Sequence, residues 1–143
     1  MNGWETEYGT HDASTDADLP WPEQAPEVAP LMHLHVLASG SKGNASVVEG
    51  PQGSVLIDDG LSRRELLRRA DELGVDMDRV GCVIVTHEHS DHVSGLSVFC
   101  NKYDGHLVAT AGTAGGRKYL ATLPFELVGN ADEFEACGMR VRT

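Results

Sequence analysis

Three histidines and an aspartate lie within six residues, directly after an apolar run at 81–86. The four residues are His87, His89, Asp91 and His92. Side chains alternate in an extended segment, so His87 and His89 project to the same side and can reach one cation. Asp91 and His92 follow where the chain should turn into a helix, and they can reach a neighbouring point. The spacing H-x-H-x-D-H therefore predicts two adjacent metal ions.

The donor types in this cluster favour hydrolytic chemistry. Neutral imidazole and carboxylate are ligands suited to zinc, iron or manganese. Two cations about 3.5–4 Å apart can share a water, lower its pKa towards about 7 and balance the charge that builds on a phosphoryl or acyl oxygen. Asp91 is best placed to orient that water and to accept its proton. We expect two divalent ions, with zinc as the first choice and manganese as the second.

The alternative is that four polar residues share an exposed loop by accident. That alternative is disfavoured, because unpaired imidazoles and a carboxylate directly behind a buried strand would be costly. His33 and His35 also alternate, but no acid lies near them in the sequence. We interpret those two histidines as residues of a strand face and not as ligands.

The segments around the cluster predict a mixed α and β chain. Ser62 and Glu65 form a capping box at the start of a helix that ends at Gly74, and further helices are predicted at 90–103 and 112–122. The turn at 50–53 predicts a hairpin. Short strands are predicted at 31–37, 46–49, 54–58, 81–86, 106–110, 125–128 and 139–142.

The charge of the chain is concentrated at its start. The formal net charge of the 143 residues is −11, and residues 1–30 carry seven acidic residues with no Lys or Arg; −11 less −7 leaves −4 for the rest. We interpret 1–30 as a disordered acidic tail and 31–143 as the folded domain. The balance gives no positive field of the kind that indicates a nucleic-acid partner.

Several other classes of protein are disfavoured by the composition. There is no apolar stretch of the roughly 18 residues that a membrane helix needs, and the first 30 residues lack the pattern of a signal peptide. We therefore expect a cytoplasmic protein with no membrane partner. The three cysteines show no C-x-x-C spacing, so neither a disulfide framework nor a zinc ribbon is predicted.

Two motifs carry a resemblance to a known family. The stretch T-H-E-H-S-D-H-V-S-G at 86–95 resembles the signature of the metallo-β-lactamase superfamily, and I-D-D-G at 57–60 resembles the aspartate turn of that family. The resemblance implies an α+β fold, the αββα sandwich, with the metals at one sheet edge. It also implies that Asp58 orients the ligand loop through hydrogen bonds without binding metal itself. By the same resemblance the first metal is held by His87 and His89, and the second by Asp91 and His92.

A third motif gives a finer match. L-A-S-G-S-K-G-N-A at 37–45 is similar to the YycJ-like branch of the family, which is described as single-strand exonucleases and phosphodiesterases. A glycine-rich turn with hydroxyls and an amide can present backbone N–H groups to a phosphate. A plain turn between strands explains the loop equally well. The candidate substrate-loop residues are Ser39, Ser41, Gly43 and Asn44.

The chain departs from the family pattern at its end. Family members carry a third-motif histidine, a bridging aspartate and a late histidine, and Thr143 comes before any of them. We therefore expect 31–143 to be a truncated domain, the N-terminal half of the sandwich. Because only two ligands per metal remain, this chain alone is expected to bind metal weakly and to be inactive.

The function predicted from these motifs is a dinuclear metal-dependent hydrolase that cleaves phosphodiesters in nucleic acid. One alternative keeps the site and changes the substrate to a thioester or a lactam. Another alternative is a non-catalytic module that binds metal, or binds a partner through the acidic tail.

Overall fold

The structure is a computed structural model that describes residues 32–143. The acidic segment 1–30 lies outside the described residues. In the described range, no helix is long and apolar enough to cross a membrane. The strands are β1 (His33–Ala38), β2 (Ala45–Gly50), β3 (Gly53–Ile57), β4 (Val80–Ile84), β5 (His106–Thr110), β6 (Glu126–Val128), β7 (Glu133–Ala136) and β8 (Met139–Arg142). The α-helices are α1 (Arg63–Glu72), α2 (Ser90–Val93), α3 (Leu96–Cys100) and α4 (Ala111–Gly115).

Six strands form one mixed sheet in the order β1-β2-β3-β4-β5-β6. The pairs β1–β2 and β2–β3 are antiparallel, and the pairs from β3 to β6 are parallel. Parallel neighbours need crossover connections, which here contain the α-helices. Because β3 and β4 run in the same direction, the segments that follow Ile57 and Ile84 leave the sheet at the same edge.

Helices cover one face of the sheet. Alternate strand residues Leu56, Val83 and Leu107 pack there with Leu66 of α1 and Leu96 of α3, and all five are buried. The period of two in the strands places their intervening residues on the other side. This face holds the larger of the two apolar cores.

The opposite face of the sheet is covered by a hairpin. Strands β7 and β8 pair with each other and form a separate two-stranded sheet. Ala136 and Met139 from the hairpin pack against Val55, Cys82 and Val108 of the large sheet. The layers are thus helices, large sheet and small sheet, which is the α+β arrangement predicted for the N-terminal half of an αββα sandwich.

The first helix matches its prediction closely. The backbone N–H of Glu65 donates to Oγ of Ser62 at 3.3 Å, which is the N-cap half of the predicted capping box. The Glu65 carboxylate accepts from Arg68 and Arg69 instead of completing the box. Gly74 follows the helix with φ 70°, a conformation that glycine adopts without steric cost. Local sequence signals were sufficient here because both ends of the helix are capped by neighbouring residues.

The predicted helix at 90–103 is wrong as a continuous element. The structure has two short helices, α2 and α3, separated at Ser94 and Gly95. The N–H of Gly95 donates to the carbonyl of Asp59 at 2.9 Å, and a Cβ at position 95 would lie 1.8 Å from the carbonyl oxygen of Leu61. The interruption therefore comes from a contact with a distant loop, which periodicity cannot reveal.

Two further predictions need correction. The helix predicted at 112–122 is α4 followed by a 3-10 turn at Leu120–Thr122. Strand β7 was not predicted, although β8 was found at its observed bounds. Its hairpin turn uses Cys137 at φ 53° and Gly138 at φ 75°. A cysteine at positive φ is uncommon, so this turn carried no recognisable sequence signal.

The contact at Gly95 predicts a strong effect of a single methyl group. In Gly95→Ala the new Cβ would overlap a backbone oxygen, and we expect the free energy of unfolding to fall by about 1–3 kcal/mol or more. Gly112→Ala is the matched control, because Gly112 is an exposed residue of α4 and a Cβ there meets nothing within 4 Å. That control should be neutral or stabilising by about 0.5–1 kcal/mol. Urea unfolding followed by circular dichroism measures both, and equal midpoints for the two variants would contradict the prediction.

Candidate metal centre

Asp58 immediately follows β3 and adopts a left-handed backbone conformation, with φ 61°. Aspartate is one of the few residues that visit this region readily. Its N–H donates to the carbonyl of Ile84 at the end of β4, at 2.9 Å. The side chain is buried, with 4% of the residue exposed. Its carboxylate therefore meets the segment that leaves the sheet after β4.

Three hydrogen bonds converge on the Asp58 carboxylate. The N–H of Thr86 donates to Oδ1 at 2.8 Å, and the hydroxyl of Thr86 donates to Oδ2 at 2.7 Å. Nδ1 of His92 lies 2.7 Å from Oδ2. An ionised carboxylate can only accept, so Nδ1 of His92 is the donor in this contact. Nε2 of His92 then carries the lone pair of the ring.

The same carboxylate fixes the tautomer of a second histidine. Nδ1 of His87 lies 3.0 Å from Oγ1 of Thr86. The single hydroxyl hydrogen of Thr86 is already directed at Asp58, so Nδ1 of His87 must donate to the hydroxyl oxygen. His87 and His92 therefore both present Nε2 as a lone pair, which is the state that a metal ligand requires.

The structure places the four predicted ligand residues near one another after β4, but in residues 32–143 no three of their ligand atoms all lie within 4.8 Å of one another. The ring centroid of His87 lies 4.6 Å from that of His89 and 4.0 Å from that of His92. Oδ2 of Asp91 lies 3.6 Å from Nε2 of His92. His89 is exposed, and the other three are partly exposed, so the cluster is open to solvent.

Asn44 connects the glycine-rich loop to this cluster. Its N–H donates to the carbonyl of Asp91 at 2.7 Å, and its side-chain nitrogen lies 3.1 Å from Oδ2 of Asp91 and 3.2 Å from Nε2 of His92. The amide hydrogens thus face two acceptor atoms that belong to predicted metal-ligand residues. A divalent ion would satisfy the same acceptors with a full charge, so the donor set fits a metal at this point.

The loop itself is closed by Asn44 and by backbone contacts. Oδ1 of Asn44 accepts from the N–H of Gly40 at 3.1 Å, and the N–H of Gly43 donates to the carbonyl of Gly40 at 3.2 Å. These N–H groups serve the loop and are not directed at a ligand. A cavity of about 360 Å³ lies beside the loop, and its lining includes Ser39 and Lys42 but not Ser41.

Gly60 is needed for the close approach of two of these segments. Its N–H donates to the carbonyl of Asn44 at 2.9 Å. A Cβ at position 60 would lie only 1.7 Å from the carbonyl oxygen of Asp91. The loop after β3 can therefore pack against the start of α2 only because this residue has no side chain.

Sequence reasoning missed a contact that holds the ligand loop from the other side. Nε of Arg117 donates to the carbonyl of Glu88 at 2.5 Å, and Glu88 lies between His87 and His89 in the sequence. The hydroxyl of Tyr119 donates to the carbonyl of Val93 in α2 at 3.4 Å. The partners in these two contacts are 29 and 26 residues apart in the sequence. No local sequence pattern therefore predicts a role for Arg117 or Tyr119.

A buried carboxyl lies beneath the cluster. Asp59 is fully buried, its N–H donates to the carbonyl of His92 at 2.9 Å, and its Oδ1 accepts from the N–H of Leu61 at 3.3 Å. Oδ2 has no hydrogen-bond partner among the described residues. Burial raises the pKa of Asp59 from 3.8 to about 6, because the charged form loses its hydration.

Comparison with known proteins identifies relatives of this chain. A family model described as the metallo-beta-lactamase superfamily matches residues 38–129. The exodeoxyribonuclease YycJ of Bacillus anthracis is 41% identical over 91 residues, which are 62% of this chain and 34% of the relative. The exodeoxyribonuclease WalJ of Streptococcus pneumoniae is 36% identical over 78 residues, 54% of this chain and 29% of the relative. The chain thus spans about a third of the length of these relatives.

Solved structures share the fold at lower sequence identity. A metallo-beta-lactamase of Cronobacter sakazakii with a HARLDQ motif superposes with a TM-score of 0.58 at 20% identity, covering 75% of this chain and 44% of that one. A mutant flavo di-iron protein from Thermotoga maritima gives a TM-score of 0.57 at 22% identity, covering 68% of this chain and 26% of that one. At these identities the likeness concerns the fold alone.

The hydrogen bonds of Asp58 predict the tautomers of two histidines. In Asp58→Asn the side chain keeps one acceptor and gains a donor, so we expect His92 and His87 to lose their fixed Nδ1–H state. Long-range ¹H–¹⁵N spectra of the imidazole rings in metal-free protein measure the tautomer directly. We also expect the Zn²⁺ affinity of this cluster to fall by about 10–100-fold.

Asp104→Asn is the matched control for this substitution, because Asp104 is exposed and lies in the loop before β5. It should leave both the ring spectra and the Zn²⁺ affinity unchanged. Unaltered His92 signals in a folded Asp58→Asn protein would show that the carboxylate does not set the tautomer.

The raised pKa of Asp59 predicts a pH-dependent stability. The folded state holds the proton of Asp59 more tightly than the unfolded state, so the contribution of this group to stability is present below about pH 4 and is lost as pH rises through 6. The shift from 3.8 to about 6 corresponds to roughly 3 kcal/mol. Asp59→Asn removes this titration. We expect the difference in unfolding free energy between the natural chain and this variant to change by most of that amount between pH 4 and pH 8.

Urea unfolding in the presence of EDTA measures this difference, since the chelator removes metal binding from the comparison. Contributions from groups common to both proteins cancel in the difference. A difference that stays constant across the pH range would contradict the assignment of a buried, titrating carboxyl.

Proposed function

The chain belongs to the metallo-beta-lactamase superfamily, and on that premise we propose that it forms part of a metal-dependent hydrolase that cleaves phosphodiesters in nucleic acid. The observation that carries the proposal is the single carboxylate of Asp58, which sets the tautomers of His87 and His92. A purely structural role would not require both imidazoles to be held with the proton on Nδ1 and the lone pair on Nε2.

We assign the four ligand residues to two divalent ions. One ion is bound by the imidazoles of His87 and His89, and the other by Asp91 and His92. When bound, such ions provide Lewis acidity, which lowers the pKa of a water and balances charge on a phosphoryl oxygen. Zinc is our first assignment and manganese the second, because imidazole together with carboxylate suits both.

The remaining ligands are proposed to come from polypeptide outside residues 32–143. The chain spans about a third of its curated relatives, and catalytic zinc usually has three protein ligands. Each proposed ion has two ligand residues here. We therefore expect the 143-residue chain to be inactive by itself.

The residues of this chain have separable roles in the proposed reaction. Asp58 orients the two histidines and touches no substrate. Asn44 holds the backbone and the carboxylate of Asp91 in place. Asp91 is the proposed group that orients the attacking water and accepts its proton.

The cavity beside the glycine-rich loop is the proposed place for a phosphate of the substrate. Lys42 and Arg69 line it together with Ser39 and Ser62. Arg69 is already paired with Glu65, at 2.7 Å, and the hydrogen bonds from Arg68 and Arg69 lower the pKa of Glu65 to about 2. Lys42 is exposed and is the cation that we assign to the phosphate.

The substrate class is supported by the relatives and not by the fold. Relatives that are 36–41% identical are named exodeoxyribonucleases, whereas the lactamases are similar in fold at lower identity. DNA is therefore our proposed polymer. Thioester or lactam hydrolysis would use the same ligands, and the experiment below distinguishes it. A non-catalytic module would give neither reaction.

The full reading frame that contains these 143 residues provides the test. We expect it to release nucleotides from end-labelled single-stranded DNA with Mn²⁺ or Zn²⁺, in a reaction that EDTA stops. Labels at the 5′ and the 3′ end give the direction of digestion. Asp91→Asn should slow the reaction by about 10²–10⁴-fold, the usual contribution of a proton-transfer group.

The control is Asp104→Asn in the same protein, which should digest DNA at the original rate. A thioester and a chromogenic lactam are offered under the same conditions. Turnover of either compound with intact DNA would refute the nuclease assignment. Full activity in Asp91→Asn would remove that residue from the reaction.

A further inference from the structure

A second group of metal-ligand side chains lies at the edge of the large sheet. His33 and His35 project from the same face of β1, and Glu49 of β2 lies directly opposite His33 in the antiparallel register. One ligand atom from each residue can be chosen so that all three lie within 4.8 Å of one another. Among residues 32–143 this is the single such trio of His, Cys, Asp or Glu.

The contacts within this trio centre on one carboxylate oxygen. Nε2 of His35 lies 3.0 Å from Oε2 of Glu49, and Nδ1 of His33 lies 3.7 Å from the same atom. One oxygen of Glu49 thus faces both imidazoles, and a carboxylate oxygen beside two imidazoles is a common zinc donor set.

The trio is accessible from solvent but is not fully exposed. The side chain of His33 is 57% exposed, and those of His35 and Glu49 are each 23% exposed. Leu37 and Val47, on the same face, are buried in the main core. The partly buried stems hold the trio in position, while its outer side leaves room for water as a further ligand.

We propose that His33, His35 and Glu49 form a binding site for a divalent transition-metal ion, with Zn²⁺ as the best fit. Two imidazoles and one carboxylate are a donor set that proteins use for zinc with a water in the fourth position. The site is separate from the cluster after β4. Three residues lie between His35 and the loop at 39–44, and His33 is about 17 Å along the strand from Ala38.

The ion would join the edge strand to its neighbour. β1 has a partner on one side only, and His33–Glu49 is the first registered pair of the two strands. An edge strand is protected from opening by fewer contacts than a central strand. A ligand that binds only the paired state reduces that opening by mass action. The site is thus a clamp on β1, whose end leads into the loop that contacts Asp91.

The simpler alternative is a hydrogen-bonded pair of His35 and Glu49 that binds no ion. The chain contains a natural control for that case. Nδ1 of His106 lies 2.6 Å from Oε1 of Glu126 across neighbouring strands, with both side chains exposed. This second pair has a single imidazole, so it should not hold Zn²⁺ at concentrations that fill the trio.

The test is a Zn²⁺ titration of the 143-residue chain, followed by the imidazole signals in ¹H–¹⁵N spectra. We expect the rings of His33 and His35 to shift together, with saturation, and the ring of His106 to stay unchanged. His35→Asn and Glu49→Gln should each weaken this binding at least tenfold, since losing a ligand costs no less than losing an outer partner. His106→Asn should have no effect.

Amide hydrogen exchange gives the second readout. Zn²⁺ should slow exchange of the β1 amides in the natural chain and not in His35→Asn. If His35→Asn fails to fold, the same comparison is made with Glu49→Gln and His33→Asn. We expect His33→Asn to fold, because the side chain of His33 is mostly exposed. Unshifted His33 and His35 rings, or equal Zn²⁺ affinity in folded variants, would overturn the site.

His89→Asn separates this proposal from the proposed hydrolase. It removes a ligand of the cluster after β4 and should leave the shifts of His33 and His35 intact. Loss of both sets of shifts in this variant would mean that a single ion had been observed, and would also overturn the separate site. Loss of the His87 shift with those of His33 and His35 retained supports two independent positions.

Discussion

The carboxylate of Asp58 is the interaction on which the rest of the candidate metal centre depends. It accepts from Thr86 and His92, and through Thr86 it also sets the donor state of His87. Asp58 can do this only because β3 and β4 are parallel neighbours, so that the residues after both strands meet at one edge. The left-handed backbone at Asp58 turns the carboxylate towards that edge. Sheet topology and imidazole chemistry are thus linked through one buried side chain.

Close backbone packing supplies the rigidity that such a centre requires. Gly60 and Gly95 allow two loops to approach the start of α2 and the carbonyl of Leu61 more closely than any side chain would permit. Asn44 and Arg117 then hold the ligand loop from opposite sides, at the carbonyls of Asp91 and Glu88. Ligands placed by backbone contacts lose less freedom when they bind an ion than ligands on a free loop, because the ordering cost was met during folding.

The sequence was informative where the signal is local. The four motif residues lie within six positions, and helix α1 is capped by its own neighbours, so both could be predicted. Local signals failed where a distant segment decides the outcome. The helical pattern is interrupted at Gly95, which packs against the carbonyl of Leu61, and β7 depends on a turn with cysteine at positive φ.

The trio at the sheet edge was not predicted, because no acid is near its histidines in the sequence. Glu49 is 14 residues from His35 in the chain, and only the register of β1 and β2 brings them together.

The two groups of metal-ligand side chains differ in how far they are prepared for an ion. After β4, the proton of each Nδ1 is already given to a partner that binds no metal, so His87 and His92 need no change of tautomer. At the sheet edge, Nε2 of His35 is engaged with Glu49, which is itself a proposed ligand. An ion must replace that hydrogen bond, and any proton in it must leave. After β4 an ion must displace the Asn44 amide from Oδ2 of Asp91 and Nε2 of His92, but no hydrogen bond between its own proposed ligands. The edge therefore suits a reversible clamp, whereas the tautomers of His87 and His92 after β4 are already those that a metal ligand requires.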